Sequence, residues 1–100
     1  MKKKEPDERL SELAIKMKEI GSTAVSLYTP EIAAVCLCFA RGEQVSEDAL
    51  ACLLDRMLGF CFEEEMVELF RKLCRAAFEQ HPKVVTEYVF LFRNLWDEEN

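Results

Sequence analysis

Three prolines and two glycines divide this chain into helix-sized segments. Pro6, Pro30 and Pro82 each stand where a helix can begin, because the N–H that proline lacks would be unpaired in a first turn anyway. Gly42 and Gly59 each stand where one can end, since glycine accepts the left-handed conformation that closes many helices. Between these marks apolar residues recur at spacings of three and four, the period of an amphipathic helix. The expectation is an all-α fold: a compact bundle of about five helices around a central apolar helix (30–41). It occupies a single domain, residues 7–96, between a flexible basic tail (1–6) and an acidic tail (97–100).

From Asp7 onward, Leu10, Leu13, Met17, Ile20, Ala24 and Leu27 keep a strict a/d alternation straight through Gly21. That pattern predicts one helix over 7–28, weakened at Gly21-Ser22-Thr23. Thr29-Pro30 reads as the cap and first-turn proline of a second helix, 30–41. This second segment is apolar from Ile32 to Ala40, and a helix hydrophobic all round belongs among other helices. Ser46 caps a third helix, ended by Gly59, with Leu50, Leu53, Leu54, Met57 and Leu58 as its inner stripe. A fourth, 63–80, places Glu63, Glu64 and Glu65 first and Arg71, Lys72 and Arg75 later, in accord with the helix dipole. Its inner face runs from Met66 and Leu69 to Ala77 and Phe78. The fifth, 82–96, carries Val84, Val85, Tyr88, Val89, Leu91, Phe92, Leu95 and Trp96 on one side. A rival arrangement keeps four helices as the core and packs the first on another subunit, since a/d spacing suits helix pairing.

Half of the residues are hydrophobic, a generous supply for a domain of this size, so apolar surface is left for a partner unless the core is dense. The net charge of −6 is uneven. Residues 1–30 carry six Lys/Arg against five Asp/Glu, and residues 31–100 seven against fourteen. Such an acidic body repels phosphate backbones and disfavours direct nucleic-acid binding. A helix-turn-helix over 38–58 fails for the same reason: its second helix would present Glu47, Asp48 and Asp55 to the groove, with Arg56 the one base.

Five cysteines, an odd number with no CxxC pair and no signal peptide, point to a reducing, cytoplasmic setting. Cys36 and Cys38 form a CxC, but helical positions i and i+2 point about 200° apart and do not share a tetrahedral site. His81, the single histidine, sits at a helix junction and reads as a capping or surface residue. No catalytic residue, metal site or cofactor is expected, and there is no phosphate-loop, dinucleotide or nucleophile-elbow motif. The longest apolar run, Ile32–Ala40, is far short of the ~20 residues of a membrane span, so no membrane contact is expected.

The sharpest functional signal is a set of apolar residues out of phase with their helices. Phe90 falls among Thr86, Glu87, Arg93 and Asn94; Ile15 among Glu12, Lys16 and Glu19; Cys52 beside Asp48, Asp55 and Arg56. With the a/d seam of Leu10, Leu13 and Met17, they make candidate interface residues. The leading expectation is a small acidic protein-interaction or regulatory module, binding a protein partner or itself as a homodimer. An alternative is an inhibitor that presents Glu43, Glu47, Asp48, Glu63, Glu64, Glu65 and Glu68 as a mimic of nucleic-acid phosphates. The third class, a metal- or thiol-dependent enzyme using Cys61, Cys74 or His81, is the weakest.

Overall fold

The chain does not break at Pro30. The computed structural model describes residues 4–96, with side chains described from Ser11 to Trp96, and its first helix, α1, runs uninterrupted over Lys4–Ala40. Proline removes the bond its N–H would give to the carbonyl four residues back. Here both Ser26 and Pro30 lie on the exposed side of α1, where water can satisfy that carbonyl. Thr29 does not act as a cap; its Oγ1 donates to the Val25 carbonyl at 2.6 Å, inside the helix. Ala24 and Tyr28 before the proline, and Ile32 and Val35 after it, all join one core and keep the two halves in phase. The expected helices 7–28 and 30–41 are therefore one. It starts at Lys4; the rest of the expected basic tail, residues 1–3, and the expected acidic tail, 97–100, lie outside the described part. Continuity through Gly21 is as the heptad phase required.

Gly42, at φ 77°, closes α1 in the left-handed conformation that favours glycine. α2 spans Glu47–Leu58, its Ser46 side chain accepting from the Ala49 N–H at 3.2 Å. All five expected stripe residues of α2 are buried. α3 covers Glu64–Ala77, shorter than expected at its C-terminal end, and α4 covers Pro82–Trp96, the bounds its sequence predicts.

The helices run up-down-up-down. One end of the body is closed by Gln80, whose side chain donates to the Glu43 carbonyl at 2.7 Å and accepts from the Val45 N–H at 3.1 Å. His81 Nε2 meets the Val45 carbonyl there at 2.7 Å. At the other end Trp96 Nε1 donates to the Leu58 carbonyl at 2.9 Å, and its ring meets Phe62 edge-on.

The central element is α3, the one helix that packs against all three others. This corrects the expectation that residues 30–41 lie at the centre. Within that stretch Ile32 is buried, but Ala33, Ala34, Leu37 and Ala40 are exposed. The reason is composition: the stretch is apolar but small, and one side of it suffices to pack on α3. Met66, Phe70, Leu73, Cys74 and Ala77 of α3 are buried, while its long charged side chains reach water between the neighbours. α4 departs as well. Of its eight-residue stripe only Val84 and Val85 are buried. The body is compact, yet the described chain measures 60 × 29 × 18 Å, with a radius of gyration of 16.3 Å. A compact domain of this length would have about 13 Å. α1 is the cause, because it overhangs the body.

Candidate interaction surface

The overhang starts at Gly21. From Gly21 to Phe39 one face of α1 is covered, mainly by α3 and the α2–α3 corner; from Ser11 to Ile20 every residue is exposed. The corner sits so close to Gly21 that an added Cβ would lie 3.0 Å from Phe62 Cε1 and 3.2 Å from Glu63 Cβ. N-terminal to this point Glu19 and Ile20 still border a cavity with Phe60, and Ser11–Lys18 is exposed throughout. Met17 continues the covered face of α1, seven residues before Ala24, whereas Leu13 and Ile20 stand at the edge of that face, in line with Leu27. Leu13 is 54 % exposed, Met17 44 % and Ile20 53 %, an uncovered apolar line. Leu27, at the edge of the covered face, is 69 % exposed. The side chain of Leu10 lies outside the described part.

The other interface candidates do not join this seam. Ile15 is exposed, but two residues from Met17 it points to the opposite side of the helix. Cys52 is exposed on α2, near Asp55 and Tyr88. Phe90, 65 % exposed, stands on the far side of α4 from Tyr88.

The seven acidic candidates form two groups. Glu43, Glu47 and Asp48 stand at the Gln80 end of the body, and Glu63, Glu64, Glu65 and Glu68 begin at the Gly21 end. The 12 residues of α2 separate them, about 18 Å at 1.5 Å per residue. They do not make one stripe.

The thiols and the histidine have structural surroundings. Burial pushes the Cys61 thiol up to about 11 and the Cys74 thiol up to about 12, with Cys61 adding to the effect on Cys74. Neither is a thiolate near neutral pH. Cys61 Sγ donates to the Met57 carbonyl at 3.4 Å, and His81 is held at the loop by Val45 and the edge of Phe39. Among the described residues no group of three or more His, Cys, Asp or Glu is placed to hold a metal ion.

Continuity through Pro30 has one further consequence. Ser11–Ala40 is long and apolar enough to cross a membrane, by length and composition alone. The expectation of no span rested on the longest unbroken apolar run, and a helix assumed to stop at Tyr28 hid the longer stretch.

No known family model matches the sequence, no curated protein is significantly similar to it, and no solved structure is significantly similar to it.

Proposed function

We propose that this protein is a protein-interaction module that self-associates through the overhanging N-terminal half of α1. The observation that carries the reading is the exposed apolar line of Leu13, Met17 and Ile20, of which Met17 is in phase with buried Ala24, uncovered among the described residues. The pairing proposed is antiparallel, which sets the two bodies at opposite ends of the paired arms. The seam is short, so the dimer is weak, on the order of micromolar.

Light scattering after gel filtration, across the micromolar range, tests this. The expected result is a mass that rises from monomer toward dimer with concentration. Met17→Glu should stay monomeric while keeping its helical circular dichroism. A monomer at every concentration, or a dimer that Met17→Glu leaves intact, would sink the proposal.

A second reading comes from the span-length stretch Ser11–Ala40, much of which is uncovered. Insertion would have to strip Ala24 and Ile32 from the core and bury Glu31 in lipid. That opposes it, and the expected outcome of flotation with phosphatidylcholine vesicles is protein left at the bottom of the gradient. Co-flotation would favour the membrane.

A further inference from the structure

We infer that the groove between α3 and α4, on the side of Phe90, is a docking site for an acidic amphipathic helix of a protein partner. Two cavities meet along this line, one of about 710 Å³ and one of about 380 Å³, and they share Cys74, Arg75, Val89 and Arg93. Phe78 closes one end, 52 % exposed, and Phe90 forms the outer wall. The floor is apolar: Val85, Val89, Cys74 and the stacked pair Phe70 and Phe92, whose ring centroids lie 5.5 Å apart. From Arg71 to Phe78 the groove follows the end of α3 and its C-cap, a rise of about 11 Å at 1.5 Å per residue, or two helical turns. That length accepts apolar anchors at i, i+3 or i+4, and i+7 of a bound helix.

Charge decides which kind of helix. The chain carries a net charge of −6, yet no carboxylate lines either cavity and three guanidiniums do: Arg71, Arg75 and Arg93. Arg71 leans toward Glu68 at 3.9 Å, an exposed contact. Among the described residues neither Arg75 nor Arg93 is in an ion pair. An apolar floor with a rim of guanidiniums matches a helix whose apolar stripe is flanked by Asp and Glu, because rim charges steer and select partners. The arm of α1 is a poorer fit, since it carries Lys16 and Lys18 beside Glu12 and Glu19. This site is separate from the arm and stands or falls without it.

The test uses the full chain and two labelled designed peptides. Each has leucines at i, i+3, i+4 and i+7; one carries glutamates and the other lysines elsewhere. Fluorescence anisotropy should show the glutamate peptide binding at least about tenfold tighter than the lysine peptide, with the difference shrinking as salt rises. Phe90→Asp should weaken the glutamate peptide by about tenfold or more. Arg75→Glu with Arg93→Glu should invert the preference, which a folding defect would not do. Equal binding of both peptides, no binding of either, or indifference to Phe90→Asp would overturn the proposal. So would a fall in the self-associated mass on Phe90→Asp, which would make the groove a contact between copies.

Discussion

The two halves of α1 share one helix and a supply of apolar residues, and they meet opposite fates. Ala24 and Ile32 are almost fully buried, whereas Leu13, Met17 and Ile20 are about half exposed. Propensity does not separate them. What separates them is whether another element lies beneath: α3 and the corner at Phe62–Glu63 reach as far as Gly21 and no farther. Amphipathicity records which side of a helix prefers burial; the length of its neighbours decides whether burial happens. The same contrast recurs between α2, whose stripe is wholly buried, and α4, whose stripe is mostly exposed.

The comparison breaks most visibly in the packed half. Ile32, 1 % exposed, faces the core, so Ile32→Ala should lower unfolding free energy by about 2–5 kcal/mol in urea titrations. A loss within the surface range would mean that α1 is not anchored there. At the junction Gly21→Val adds branched atoms where even a Cβ meets side chains at 3.0 Å. It should cost about 1–3 kcal/mol, read by the same titration. No loss would show that the corner is looser than its contacts imply. The smallest effect belongs to the free half. Leu13→Ala, measured by thermal melting at a concentration where the protein is monomeric, should change stability by less than about 0.5 kcal/mol. At high concentration the same variant should lose its dimer. A large loss in the monomer would place a partner for Leu13 within the chain itself.

Much of the fold was legible locally. Ser46 as an N-cap, the stripe of α2, Gly42 as the end of α1, and Pro82 as the start of α4 follow from rules that involve a few neighbouring residues. Pro30 suits a first turn and a hydrated helix interior alike. The choice depended on whether the Ser26 carbonyl faced water, which is a fact about what packs on the other side. Phe78 was read as core because it continues the spacing of Ala77; α3 ends at Ala77, and the ring turns out toward the groove. The Arg-rimmed groove had no sequence signal, since Arg75 and Arg93 are eighteen positions apart and belong to different helices. Phe90 did have one, its place outside the apolar arc of α4.

By itself the sequence determined an all-helical chain, the caps and ends of most of its helices, and a heptad seam that survives Gly21. These depend on backbone propensity and on spacing along one helix. Only the tertiary structure decided that four helices form rather than five, that α3 and not residues 30–41 lies at the centre, and that ten seam-bearing residues, 11–20, hang free of the body. Burial is a property of pairs of elements, set by their lengths and crossing, and a period read along one chain segment carries no record of where its neighbour ends.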